Sequence, residues 1–160
     1  AMAKPVYVLN GPNLNMLGVR EPSVYGTDTH ADVRRRTEQR ASTLQLSIDF
    51  RQSNSEGELV DWIQEARSNA SGIILNAGAY THTSIAILDA LTASERPVIE
   101  LHLSNVFKRE SFRHTSYVSP VAQGVICGFG AKGYELAVEA MADLVQHKTS
   151  KDAAAKAAKA

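Results

Sequence analysis

VYVLNGPNLNMLGVREPSVYG, residues 6–26, is the stretch on which the reading of this chain turns. It starts as a short apolar run, Val6 to Leu9, with the character of a buried strand. It then breaks at Asn10-Gly11-Pro12. Pro12 has a fixed φ and no N–H, while Gly11 tolerates φ > 0, so neither helix nor strand continues through them. The residues beyond are polar and chemically capable: Asn13, Asn15, Arg20, Glu21 and Tyr25, punctuated by Gly18, Pro22 and Gly26. In a compact domain a connection of this length is more often a binding loop or an active-site lid than a plain connector. A solvated surface loop is the alternative.

Outward from that first strand, apolar runs and amphipathic stretches alternate. Thr29 to Thr43 reads as a helix, with Thr29 as cap and Asp32 three residues on. On it, Arg34-Arg35-Arg36 is expected to be a solvated face, because consecutive helical residues point in different directions. Leu44, Leu46, Ile48 and Phe50 alternate with polar residues, which predicts an edge strand. Ser55 with Glu58 opens a second helix, whose stripe of Leu59, Trp62, Ile63 and Ala66 places Trp62 in the core. Ile73–Leu75 is a short apolar strand, followed by a loop over 76–82 and a helix capped by Thr83 or Ser84 that reaches about Ser94. Val98 to Leu103 is the next strand, and 104–120 is a polar connection carrying Lys108, Arg109, Arg113 and His114. Val125-Ile126-Cys127 is the last strand, ending at Gly128 and Gly130, and a final helix covers about 133–147. The Ala/Lys-rich stretch 148–160 is expected to be a frayed helix or a disordered tail. Five strands alternating with helices imply right-handed βαβ units and a parallel sheet. The predicted fold class is α/β: a flavodoxin-like, doubly wound, five-stranded parallel sheet of order 2-1-3-4-5 with helices on both faces, in one domain over 1–147.

Bulk properties remove several function classes. At 160 residues, 44% hydrophobic, the chain is long enough for one real core. Lys+Arg and Asp+Glu number 17 each, so no net field favours nucleic acid or an anionic membrane. No apolar segment approaches the ~20 residues of a membrane span, and the N-terminus lacks the order of a secretory signal. The expected location is cytoplasmic. The single Cys127 sits in an apolar run and is expected to be buried and inert.

Ligands of such a sheet bind beyond the carboxyl ends of its strands. There the chain places Asn10, Asn13, Arg20 and Tyr25 after the first strand, and Asn76 and His82 after the third. The fourth ends at Glu100, His102 and Ser104, with Arg109 and Arg113 beyond. Each has a structural reading of its own: His102 as a satisfied core imidazole, Tyr25 as packing under a turn, His82 and Ser84 as caps, the asparagines as turn formers, the arginines as surface charge. Their convergence on one edge favours a site. There is no G-x-S-x-G nucleophile, Walker A motif, dinucleotide G-x-G-x-x-G or Cys/His zinc spacing. No acidic cluster suits a hard metal. What remains is His, Tyr, Arg and Asn: acid–base chemistry on a hydroxylated anionic small molecule, with no metal and no cofactor. A flavodoxin-like domain that binds a small anion without catalysis is the alternative.

These same residues lie in segments that closely resemble type II 3-dehydroquinate dehydratase: NGPNLNMLGVREPSVYG (10–26), QSNSEGELVDWI (52–63), NAGAYTHTSIAILDAL (76–91), PVIELHLSNVFKRESFRHTSYVSP (97–120) and GVICGFGAKGYELA (124–137). The resemblance implies the flavodoxin-like fold and reversible dehydration of 3-dehydroquinate to 3-dehydroshikimate through an enolate. It implies Tyr25 as the base at C2, Arg20 as the cation favouring its phenolate, and His102 as general acid with Glu100 orienting it. Asn13 would position a water on the enolate oxygen. Asn76 and His82 would hold ring hydroxyls, Leu103 and Ser104 the carboxylate, and Arg113 a further hydroxyl. Asp89 matches a position that reaches a neighbouring subunit's site, and the implied assembly is a dodecamer built from trimers. Ser55 and Phe107 stand where many relatives carry histidine.

Overall fold

The computed structural model describes residues 3–159, with side chains described over 3–146 and at 157 and 158. Five parallel strands form one sheet: β1 (Val6–Asn10), β2 (Ile48–Gln52), β3 (Gly72–Asn76), β4 (Val98–His102) and β5 (Gly124–Cys127). Their order is β2-β1-β3-β4-β5, as the alternation predicts. The helices are a short α1 (Pro22–Tyr25), then α2 (His30–Thr43), α3 (Glu56–Asn69), α4 (Ile85–Ser94) and α5 (Lys132–Lys159). No helix among the described residues is long and apolar enough to cross a membrane.

The period of two along β1 sorts its side chains between two apolar layers. Val6 and Val8 face one, with Val33 of α2 and Tyr134, Val138 and Met141 of α5. Tyr7 and Leu9 face the other, with Leu59 and Ile63 of α3 and Ile87 and Leu91 of α4. Fully burying such a side chain is worth about 1.5–3 kcal/mol, so both layers of helices are held by their apolar stripes. Thr29 caps α2 with the complete reciprocal pair, its hydroxyl accepting from the Asp32 N–H and the Asp32 carboxylate accepting from the Thr29 N–H. Ser55 and Ser84 cap α3 and α4 through the N–H groups of Glu58 and Ile87.

One boundary and two burial states differ from the pattern. Leu44 and Leu46 precede β2 instead of belonging to it, because Gln45 takes a left-handed φ of 58° and the turn closing α2 occupies this stretch. Their apolar side chains pack on the core from that turn. Trp62 is half-buried, at the margin of the second layer, where the Arg51 guanidinium lies 5.5 Å from its ring centroid. Cys127 is half-buried and free, and Val125 is exposed, because β5 is an edge strand with β4 as its one neighbour in the sheet. On α2, Arg34 and Arg35 pair with Glu38 and Asp32 along the helix. Arg36 instead reaches Glu135 of α5 at 2.6 Å and Asp28 at 3.2 Å, tying the two helices together. The helical backbone of α5 runs on through 148–159.

Register positions the chemistry. Asn10 lies opposite both Gln52 and Asn76, which levels the ends of β1, β2 and β3. β4 is offset: Leu75 faces Glu100, so His102 stands two residues further along, at the carboxyl edge.

Candidate active site

Two loops interlock at that edge. The Gly11 N–H donates to the Asn76 carbonyl at 2.7 Å, and a Cβ on Gly11 would meet the Ala77 carbonyl oxygen at 2.3 Å. Gly78 has φ +59° and presses against Pro12 in return. A side chain is excluded at Gly11 and strained at Gly78. After this crossing, Leu14 and Leu17 plug into the core, while Val19 is 73% exposed and begins an outlying flap. Glu21, at φ 38°, turns the flap into α1, and Tyr25 at its end folds back against the core.

The Tyr25 hydroxyl accepts a hydrogen bond from Arg109 Nη1 at 2.8 Å. Arg109 also stands 3.4 Å from the Ser104 hydroxyl. Arg20 lies over the ring face, its Cζ 4.8 Å from the centroid, and its guanidinium approaches Glu21 at 3.9 Å. The phenol therefore has a cation at its oxygen and a second over its ring. The one at the oxygen comes from a segment 84 positions away. Arg109 stood among the cations of the polar 104–120 segment, but no spacing in the sequence tied it to Tyr25.

Glu100 and His102 project from the same face of β4, two residues apart. His102 Nε2 donates to Glu100 Oε2 at 2.5 Å, which leaves Nδ1 as the free ring nitrogen. The other carboxylate oxygen accepts from Ser116 at 2.9 Å and Ser119 at 2.5 Å. Burial alone would push this 2%-exposed carboxyl up, but the hydrogen bonds from His102, Ser119 and Ser116 outweigh it and hold Glu100 below its ordinary value. Glu100 is thus a buried carboxylate with three donors. Ser116 and Ser119 were invisible to sequence reasoning, since a serine in a polar loop carries no signal of its target.

His82 Nδ1 donates to the Thr115 carbonyl at 2.8 Å, which makes Nε2 the unprotonated nitrogen. Its ring stacks near-parallel with that of His102, centroids 6.4 Å apart. Burial pushes this imidazole below its ordinary value; the Thr115 hydrogen bond opposes that, and His102 and Arg113 reinforce it. Arg113 is held by Glu110 at 2.7 Å. Asn13 sits at φ 69°, its N–H donating to the Asn54 side chain.

A cavity of about 90 Å³ brings these groups together. Tyr25, His102, Arg20 and Asn13 line it, with Asn76, His82, Leu103, Ser104 and Arg113. Glu100 stands behind His102. A second, outer cavity of about 550 Å³ shares Tyr25, Leu103, Ser104 and Arg109 as its wall and adds Lys108 and Lys132. Asp89 is exposed on α4 and lines neither cavity of the single chain. Three guanidinium groups around the inner cavity suit an anionic guest. An imidazole donor and a phenol oxygen on its walls suit transfer of protons to and from that guest.

A family profile for class II dehydroquinase matches residues 4–142. The chain is 60% identical over 145 residues to a 3-dehydroquinate dehydratase of Phenylobacterium zucineum, covering 91% of this chain and 100% of that protein. It is 56% identical over 142 residues to 3-dehydroquinate dehydratase 2 of Pseudomonas aeruginosa, covering 89% and 96%. Among solved structures, type II dehydroquinase from Propionibacterium acnes superposes with a TM-score of 0.85 at 45% identity, covering 89% of this chain and 98% of that one. Sequence, profile and superposition agree over nearly the whole flavodoxin-like domain, and the chain belongs to the class II dehydroquinase family.

Proposed function

We propose that the inner cavity dehydrates 3-dehydroquinate reversibly to 3-dehydroshikimate through an enolate, using the chain's own side chains. Tyr25 removes the C2 proton as phenolate. A free phenol loses its proton only near pH 10, so the negative charge needs support. Arg109, hydrogen-bonded to the oxygen, supplies it directly, and Arg20 supplies it across the ring. The electrons left at C2 pass to the adjacent carbonyl, and Asn13 positions a water on the resulting enolate oxygen. The enolate then collapses, the C1–O bond breaks, and His102 gives its proton to the departing hydroxyl. One water leaves. Glu100, kept ionised by its serine donors, holds the imidazole in orientation and stabilises its charged form.

Asn76 and His82 take ring hydroxyls, Leu103 and Ser104 the carboxylate, and Arg113 a further hydroxyl. Asp89, exposed on its helix, completes a neighbouring subunit's site in a dodecamer built from trimers. A cytoplasmic location goes with this reading. The observation that carries it is the meeting of Tyr25, with Arg109 at its oxygen, and His102 in one cavity. Enone absorbance on mixing purified protein with 3-dehydroquinate tests it. Turnover should be unaffected by chelator and lost in Tyr25→Phe and in His102→Ala. Full activity in either variant would remove that residue from the mechanism, and binding without turnover in the wild type would leave a small-anion binding domain.

A further inference from the structure

Beneath the inner cavity lies a chain of buried hydrogen bonds whose central member, Tyr134, belongs to α5 and lines neither cavity. Its hydroxyl donates to Asn10 Oδ1 at 2.6 Å and accepts from Asn76 Nδ2 at 3.0 Å. Asn10 Nδ2 donates in turn to the Arg51 carbonyl at 2.9 Å. Tyr134 is 1% exposed, Asn10 0% and Asn76 3%.

The direction of every bond in this chain follows from its first member. A backbone carbonyl can only accept, so Asn10 must turn its NH₂ toward Arg51 and its oxygen toward Tyr134. Facing that oxygen, the phenol must donate its single proton. Having spent it, Tyr134 can only accept from its second neighbour, so Asn76 must turn its NH₂ downward. A separate contact agrees: the Gly78 N–H donates to Asn76 Oδ1 at 3.3 Å. The amide of Asn76 is therefore held from both ends: its oxygen by the longer Gly78 contact, and its NH₂, through Tyr134, by a carbonyl two strands away. Burial pushes the Tyr134 phenol far above its ordinary range, so its proton stays in place at any working pH.

We propose that Tyr134 is a positioning residue for substrate recognition, acting through Asn76: it orients the Asn76 amide so that one N–H and one oxygen lone pair meet a substrate hydroxyl in a single arrangement. The proposal rests on the reading of Asn76 as a substrate ligand. It assigns a specificity function to the last helix, which otherwise contributes no group to the cavity beyond its first residue at the outer rim.

A mutant cycle on kcat/KM for 3-dehydroquinate tests this, using wild type, Tyr134→Phe, Asn76→Ala and the double variant, with melting followed by circular dichroism. Loss of one orienting hydrogen bond should lower kcat/KM roughly five- to tenfold in Tyr134→Phe, chiefly through KM. In the Asn76→Ala background the same change should cost less than about twofold, because the amide it acts through is gone. Equal losses in both backgrounds would reduce Tyr134 to a purely structural residue, and a loss under about twofold in the single variant would refute the proposal outright. If Tyr134→Phe fails to fold, Asn10→Ala takes its place in the cycle, since it removes the acceptor that sets the phenol's direction; the same coupling is expected. Wild-type kinetics in Asn76→Ala would instead overturn the reading of Asn76 on which the proposal stands, while a wild type that fails to turn over 3-dehydroquinate would overturn the assigned reaction.

Discussion

Replacing Arg109 by alanine separates a cation that serves the base from one that merely holds substrate. Its Nη1 donates to the Tyr25 hydroxyl at 2.8 Å from a side chain only 16% exposed, so solvent screens the contact little. A hydrogen bond between a neutral and a charged partner contributes about 1.5–3 kcal/mol net. At about 1.4 kcal/mol per factor of ten, its loss should lower kcat/KM roughly 10- to 160-fold. Because the bond is worth most when the phenol is ionised, the deficit should fall mainly on kcat. Arg20→Ala, which removes a guanidinium lying over the ring with no hydrogen bond to the oxygen, should cost less than Arg109→Ala. Initial rates of enone formation across a range of substrate concentrations decide the matter. A deficit confined to KM would mean that Arg109 is a substrate anchor, and the assignment of its charge to Tyr25 would fail.

Gly11→Ala should lower kcat/KM by a factor on the order of 10², because relieving a 2.3 Å approach to the Ala77 carbonyl needs a shift of about 1 Å in the loops that carry Asn13 and Asn76; wild-type kinetics would show that the crossing of these loops is pliable. Ser119→Ala should destabilise the fold by about 1.5–3 kcal/mol in urea titration, since it strips a donor from a buried carboxylate; an unchanged midpoint would mean that Ser116 and water suffice. Glu100 is held below its ordinary value, so its contribution is present above about pH 4.5 and is lost as pH falls through the folded value. Stability measured from pH 6 down to 3 should therefore fall more steeply in the wild type than in Glu100→Gln. His30 has a buried, unpartnered Nε2 and is pushed down first by burial and then by Arg34, so the native state is penalised as pH drops below about 6.5, where the unfolded chain takes up a proton and the native chain does not. His30→Phe should reduce the fall in melting temperature between pH 7.5 and 5.5, and an identical fall in both proteins would contradict this.

Strand and helix alternation and the caps at Thr29 and Ser55 were legible in the sequence because each depends on residues close together in the chain; the sheet order followed from the handedness of parallel crossovers. Leu44 and Leu46 misled the strand pattern because apolar alternation records which side chains are buried, and a closing turn can bury them as well as a strand can. The lining of the inner cavity was legible in its members, since the edge rule gathers whatever stands at the end of each strand. Its pairings were not. Arg109 reaches Tyr25 from another loop, Ser116 and Ser119 reach Glu100 from the far end of the same polar segment, and Tyr134 reaches Asn76 from the last helix. Those meetings are set by how loops fold back in three dimensions. Asp89, exposed on α4, lines neither cavity of the single chain.

Tyr25 and Arg109 stand on the wall common to both cavities, and this has a kinetic consequence. The inner space of about 90 Å³ is well below the ~300 Å³ at which small-molecule sites begin. A guest too large for that space would push the flap aside to enter and again to leave, and the proposed base would then also be the door. Because Tyr25 also faces the outer cavity, a proton lifted from the ring meets solvent on that side. In deuterated water, label should therefore appear in unconverted starting material whenever exchange at that outer face is as fast as collapse of the enolate.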